Sequence, residues 1–404
     1  MNKVIREINK KVYFVNEIIS LEEKEESLVI LFEVDKNENV NAEEVYINKY
    51  ELVNEKIIEG RFVYRIDGKL INASKNKISK IEIFKNNMYR GKLIKRYTKS
   101  DSNINNITEV YSYHINVGHG NCSIIVIKYN SDYKIWVVDC SKFDFKNKIM
   151  YIQNIERCFD HIKKKFNLND IKIEKLLITH PHYDHINGID YLISNGYVKD
   201  TEVWINLYYS WPDTCYSKLL ERLKTLNLRL IEPKVSSSNN SIEIIYPNNT
   251  ILRTDPKNVT TYPIYSVVPS NKVNNASVIY KLNLGEKSII FPGDIEEDEW
   301  NKVLGCEKYL KNATYYCISH HGSITGHSRS ICPYKSTTID SIDFCCSNTK
   351  KNILMGRDNA YPGIFSEVVL ESFKGRLYRT DLSDTGKVPR FMELDWEKDN
   401  VLYY

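Results

Sequence analysis

Thr179-His180-Pro181-His182-Tyr183-Asp184-His185 (THPHYDH) decides how this chain is read. It sets three histidines and an aspartate within six positions, directly behind the apolar run Lys175–Thr179 (KLLIT). That run has the length and composition of a short buried strand. Imidazole and carboxylate together are donors for zinc, manganese or iron. The loop leaving the end of a buried strand is where α/β folds place their chemistry. A merely polar loop would reach this histidine density only by coincidence, so His180, His182, Asp184 and His185 are expected to ligate metal.

Upstream of that stretch the pattern is strand, glycine turn, strand: Tyr111–Val117, Gly118-His119-Gly120, Cys122–Tyr129, Lys134–Val138. Helical spacing follows over Asn154–Phe166. Downstream, Val203–Leu207 and Ser241–Tyr246 read as strands and Ser217–Leu226 as a helix. Val278–Leu284 and Ser288–Phe291 read as a hairpin across Gly285-Glu286, and a further strand, Tyr315–Ser319, again ends at histidines. Strands alternating with helices indicate an α/β architecture. Residues 1–105 differ. Short apolar stretches (Ser27–Val34, Arg61–Ile66, Ile78–Phe84) alternate there with polar turns such as Asp67-Gly68. That favours a small β-rich or α+β domain, a candidate for substrate or partner binding, with the boundary in the polar stretch Ser100–Asn106.

The chain of 404 residues is 42% hydrophobic, enough for a substantial core, and its net charge of +4 argues neither for nor against a nucleic-acid partner. Nine cysteines without a CxxC pair, several inside apolar runs, read as reduced buried thiols and set a cytoplasmic expectation. The N-terminal residues lack the continuous apolar core of a signal peptide, and no run of about 18 apolar residues occurs, so no membrane partner is expected. Charge is less even locally. From Lys75 to Lys99 there are nine Lys/Arg against one acid, Glu82, with Phe84, Tyr89 and Tyr97 interleaved. The stretch is either a solvated face or a phosphate-tracking surface, on which Lys92, Lys95 and Arg96 would contact nucleic acid.

In this order of elements, HxHxDH behind a strand resembles the signature of the metallo-β-lactamase superfamily. The resemblance implies an αββα sandwich over residues 110–404, with His180 and His182 on one metal and Asp184 and His185 on a second. Phe291-Pro-Gly-Asp294 resembles the strand-end Gly-Asp whose aspartate bridges the metals. Ser319-His320-His321-Gly322-Ser323 resembles the segment with the final metal histidine. The likeness of KLLIT-His180 to YYCIS-His320 favours His320 as that ligand, leaving His321 to support it or donate a proton. Asp139, in Trp136-Val-Val-Asp139, resembles an early aspartate that orients a metal histidine, and reads equally as a turn former. INVGHGNCSIIVI (115–127), NNASVIYKLNLGEKSIIFPGD (274–294), SHHGS (319–323) and YPGIFSEVVL (361–370) resemble the hydrolase domain of the bacterial competence DNA-uptake channel protein and its soluble relatives. That likeness implies a nuclease or phosphodiesterase.

The chain also departs from the pattern. The superfamily's further histidine between the two halves has no counterpart, since no histidine occurs between His185 and His320. Asn275 stands in the matching stretch, and His119, in its glycine-flanked turn, is the candidate to supply the missing nitrogen unless it is an ordinary turn residue. The implied cofactor is one or two divalent ions, Zn²⁺ or Mn²⁺, which lower the pKa of bound water to about 7. Asp184 and Asp294 would offset metal charge and orient the nucleophile, and backbone N–H groups near Gly322-Ser323 would take a phosphate oxygen. His321 or Tyr361 would protonate the leaving oxygen. The expected function is metal-dependent phosphodiester hydrolysis on nucleic acid or a nucleotide. The alternatives are a hydrolase of another ester (lactone, thioester or phosphorylcholine-type) and a sensor or scaffold with a partly decayed metal centre.

Overall fold

The apolar alternation resolves into packed sheets in the computed structural model, which describes residues 12–20, 25–33, 42–55, 57, 59, 62–66, 69–72, 89–90, 92–99, 104–207, 211, 213–226, 228–233, 241–246, 273–300, 312–327, 349–383 and 385–404. One sheet has nine strands in the order Asn400–Tyr403, Phe391–Asp395, Ile107–Ile115, Cys122–Tyr129, Asp132–Cys140, Ile173–Leu177, Glu202–Trp204, Arg229–Ile231, Tyr97–Thr98. Its strands are antiparallel up to Asp132–Cys140 and parallel beyond it. A second sheet has six strands, Ile242–Tyr246, Ile279–Leu284, Lys287–Phe291, Tyr315–Cys317, Lys351–Leu354 and Leu377–Arg379, its last four parallel.

The two sheets bury their inner faces against each other. Ile125, Ile127, Trp136 and Val138 of the first meet Tyr280, Leu282, Ile289 and Tyr315 of the second. Helices cover the outer faces. Ile152–Phe166 buries Ile155, Cys158, Phe159 and Ile162, positions spaced along one helical stripe, and Thr214–Thr225 buries Leu219, Leu220 and Leu223. The Asp213 side chain caps the second of these helices by accepting the Tyr216 N–H at 3.1 Å. Glu367–Ser372 lays Val369 on the six-stranded sheet. This is the αββα sandwich expected from the sequence, and it brings the ends of parallel strands from both sheets to one edge.

The N-terminal strands Val12–Ser20, Glu26–Glu33, Ala42–Asn48, Phe62–Ile66 and Lys69–Asn72 form a separate five-stranded antiparallel sheet. Leu28, Ile30 and Phe32 project from one face, with Phe14, into the core shared with the sandwich, whereas Val29 and Leu31 project from the other into a small core with Val15 and Val45. Both faces are covered, which explains why Leu28–Phe32 reads as an unbroken apolar run. Each side chain so buried contributes about 1.5–3 kcal/mol, so this sheet is packed on the sandwich and not merely tethered to it. The expected Ile78–Phe84 strand and Asp67-Gly68 turn lie outside the described residues.

From residue 89 onward the chain is already integrated with the sandwich. Arg90 is buried and its Nε donates to the Leu207 carbonyl at 2.9 Å. Arg96 caps the end of the Thr214–Thr225 helix, donating to the carbonyls of Leu223 (2.9 Å), Leu226 (2.8 Å) and Leu228 (3.1 Å). Its guanidinium is therefore engaged by backbone carbonyls and is neither simply solvated nor open to an outside phosphate, the two alternatives left by the sequence. Lys92 and Lys95 are exposed, while Lys75, Lys77, Lys80 and Lys85 lie outside the described residues. Burial pushes the Cys158 and Cys317 thiols well up, as suits inert core cysteines. Cys345 and Cys346 lie outside the described residues. Among the described residues no helix is long and apolar enough to cross a membrane.

Candidate metal centre

Asp139 ends its strand in a left-handed conformation (φ 52°), which an aspartate tolerates better than most residues. Its Oδ1 accepts the Thr179 N–H (2.8 Å), and its Oδ2 accepts the Thr179 hydroxyl (2.7 Å) and His185 Nδ1–H (2.8 Å). His185 is thereby held with Nε2 toward the centre. Across the sandwich, Gly293 (φ 60°) lies so close to this loop that a Cβ would sit 2.8 Å from Thr179 Cβ and Ser277 Oγ. Only glycine fits, and it carries Asp294 to the centre, where the Asp294 N–H donates to Ser277 Oγ at 3.1 Å.

Two groups of donors converge. The ligand atoms of His180, His182 and Asp294 lie within 4.8 Å of one another, and so do those of Asp184, His185, Asp294 and His321. Asp294 belongs to both. Its Oδ1 is 3.3 Å from His185 Nε2 and its Oδ2 is 3.4 Å from His321 Nε2, which is also 3.1 Å from Asp184 Oδ2. All six residues are buried. His180 Nε2 is buried with no hydrogen-bond partner among the described residues. An orphaned imidazole nitrogen beside a carboxylate fits a cation-binding site.

The histidine that the fold brings into the donor cluster is His321 and not the expected His320. The analogy with His180 fails because the backbone after Tyr315–Cys317 turns left-handed at both His320 (φ 47°) and His321 (φ 47°). That conformation costs roughly 1–2 kcal/mol per residue. It swings His321 inward, where Nδ1–H donates to the Met355 carbonyl at 3.0 Å and leaves Nε2 facing the carboxylates. His320 instead faces Asn274 Nδ2 (3.4 Å) and Thr325 Oγ1 (3.3 Å).

Three further expectations are relocated. His119 Nε2 lies 3.5 Å from Asp184 Oδ2, with its ring 4.3 Å from His321 and 4.8 Å from Tyr361. It therefore sits on the Asp184 side and does not complete the His180–His182 group. Asn275 Oδ1 accepts the Glu296 N–H at 3.0 Å, which ties that side chain to a turn. The Ser323 N–H donates to the His320 carbonyl at 2.7 Å and is not available to a phosphate oxygen.

Two features escaped sequence reasoning. Trp211 packs edge-on against His182 (5.4 Å) and is itself met by Phe14 (5.0 Å), while Phe32 packs on Tyr183 (5.3 Å), so the N-terminal sheet braces the metal loop from behind. Asp144 and Arg357 join the loops of His119 and His321. Neither feature has a local signature, since each depends on residues far apart in the chain.

Burial, followed by the charge of His185, pushes His180 well below the usual imidazole range, which leaves it neutral. Burial works to raise Asp184 and Asp294, but His185 and His321 outweigh it and hold both carboxylates below their usual range. The same pairing outweighs burial at His185, held well above its usual value, and at His321, raised to about 10.

Residues 116–222 match the model of the metallo-beta-lactamase superfamily. That match takes in His119, Asp139 and the THPHYDH loop, and the tertiary structure brings Asp294 and His321 to that loop. No curated protein matches the chain. Among solved structures, it is similar to a diphosphatase from the PhnP family at 10% identity, covering 72% of this chain and 98% of that one with a TM-score of 0.34. It is similar to the DIM-1 metallo-beta-lactamase exposed to ceftazidime at 15% identity, covering 47% and 66% with a TM-score of 0.23. It is also similar to CmlA, a diiron β-hydroxylase from Streptomyces venezuelae, at 13% identity, covering 98% and 76% with a TM-score of 0.34.

The fold implies divalent-metal binding, and the charge state of the buried cluster sets its pH dependence. Imidazoles whose pKa is raised hold their protons near neutral pH and must lose them to ligate. Metal loading is therefore expected to release protons from His185 and His321, with affinity rising with pH until His321 titrates at about 10. Calorimetry in buffers of different ionisation enthalpy measures this directly. A heat of binding independent of the buffer would show that both imidazoles are neutral beforehand.

Proposed function

We propose that this chain is a metal-dependent hydrolase of phosphodiesters, acting on nucleic acid or a nucleotide. The observation that carries the reading is the place of Asp294 in both donor groups. A carboxylate shared by a two-histidine group and an Asp-His-His group suits two cations held close together, the arrangement that serves in-line phosphoryl displacement. Imidazole and carboxylate donors without thiolate suit Zn²⁺ or Mn²⁺. When bound, such ions lower the pKa of water to about 7 and draw charge from a phosphoryl oxygen.

The protein's own residues do the rest. Asp184 and Asp294 supply negative charge against the cations. Asp139 fixes the His185 ring, and Met355 fixes His321. In this reading His321 is a ligand and Tyr361, next to His119, is the proton donor to the leaving oxygen. The resemblance to the DNA-uptake hydrolase domain supports a nucleic-acid substrate, and the exposed Lys92 and Lys95 are compatible with it. The buried reduced cysteines support a cytoplasmic setting.

The test is metal analysis of the purified protein, followed by assay on bis-nitrophenyl phosphate, nicked and linear DNA, RNA and a lactone panel. Phosphodiester turnover that chelation abolishes is expected. Turnover of lactones alone would overturn the substrate reading, and a protein that binds no divalent metal would be a sensor or scaffold.

A further inference from the structure

We propose that Arg357 is an anion-binding residue beside the metal centre, presenting its guanidinium to a phosphoryl oxygen of the substrate. The proposal rests on the phosphodiesterase reading and narrows it to substrates that carry an anionic oxygen at this point.

Arg357 is held between the two loops that bring His119 and His321 to the centre. On one side, Met355 anchors His321 through its carbonyl. Gly356 (φ 124°) then passes so close that a Cβ would lie 3.0 Å from His321 Nδ1. On the other side, Arg357 Nε donates to Asp144 Oδ2 at 3.0 Å. The same oxygen accepts the His119 N–H at 3.1 Å. Asp144 Oδ1 accepts the N–H groups of Lys146 (3.0 Å) and Asn147 (3.2 Å), so this fully buried carboxylate is rigidly held. Gly118 (φ 71°) is pressed against it, with 2.7 Å between its would-be Cβ and Asp144 Cβ.

The guanidinium is thus fixed by one edge, yet its Nη2 is buried with no hydrogen-bond partner among the described residues. Buried donors are almost always matched, and an unmatched one costs about 1–3 kcal/mol. Asp144 offsets the charge of Arg357 without using this donor. A guanidinium held by Nε with Nη2 unmatched is suited to a directed, charge-assisted bond to a phosphate oxygen that reaches it. A neutral lactone or thioester offers no such oxygen. An ammonium is a point donor, so lysine here would answer Asp144 but could not also present the second N–H.

Calorimetry with inorganic phosphate as the probe, on the metal-loaded full chain, tests the proposal. Arg357→Lys is expected to weaken phosphate binding roughly 10–100-fold, the scale of a hydrogen bond to a charged group, while metal content and unfolding temperature stay at the wild-type values. Unchanged phosphate affinity would overturn the proposal and leave Arg357 as a brace for the His119 loop. Should Arg357→Lys lose metal or unfold, the paired variant Arg357→Gln/Asp144→Asn, which leaves no buried charge unmatched, decides by the same measurement. Failure of the phosphodiesterase reading would appear separately, as wild-type protein that binds phosphate through Arg357 but does not turn over bis-nitrophenyl phosphate.

Discussion

Asp294→Asn is expected to lose one metal equivalent and to lower phosphodiester turnover far beyond the roughly 10–100-fold that follows loss of a ligand's outer hydrogen-bond partner. The substitution keeps the shape of the side chain and its backbone N–H bond to Ser277, so folding is spared. What it removes is the negative charge common to both donor groups. Two cations held close together repel strongly in a buried site, and a neutral amide between them offsets nothing. Metal content by elemental analysis and turnover on a small nitrophenyl diester read the two effects independently. An Asp294→Asn protein that binds two ions with wild-type affinity would sink the bridging role.

The second large effect separates neighbouring residues. His321→Ala is expected to remove the metal held with Asp184 and His185 and to abolish turnover, because its Nε2 faces both Asp184 and Asp294. His320→Ala should keep the full metal complement, since that ring lies against Asn274 and Thr325. The pair is informative because both variants remove the same imidazole from the same left-handed turn, so any shared loss of stability cancels in the comparison. Metal loss in His320→Ala with retention in His321→Ala would reverse the assignment.

The difference between those two histidines shows how far the sequence can be read. THPHYDH was legible because its candidate ligands sit on one short loop behind a strand, and their spacing is a local property of the backbone. The hairpin across Gly285-Glu286 and the helix at Ile152–Phe166 were legible for the same reason, since periodicity and turn residues act over a few positions. Whether His320 or His321 enters the centre is not local. It depends on a left-handed turn held by the Gly293 carbonyl against the His320 N–H and by Met355 against His321, contacts made by segments distant in the chain.

The same division runs through the rest of the molecule. The apolar stretch Ser27–Val34 suggested part of a small β-rich or α+β domain, but a local pattern has no means of naming what covers each face of a strand. Only packing decided that Phe32 lies on Tyr183 beside the metal loop while Leu31 faces a core of its own. Composition marked Arg96 and Arg357 as cations. Tertiary structure decided that one caps a helix end and that the other stands between two metal-site loops, because a long side chain takes its role from whichever acceptors the fold brings within reach, and residue type carries no information about those.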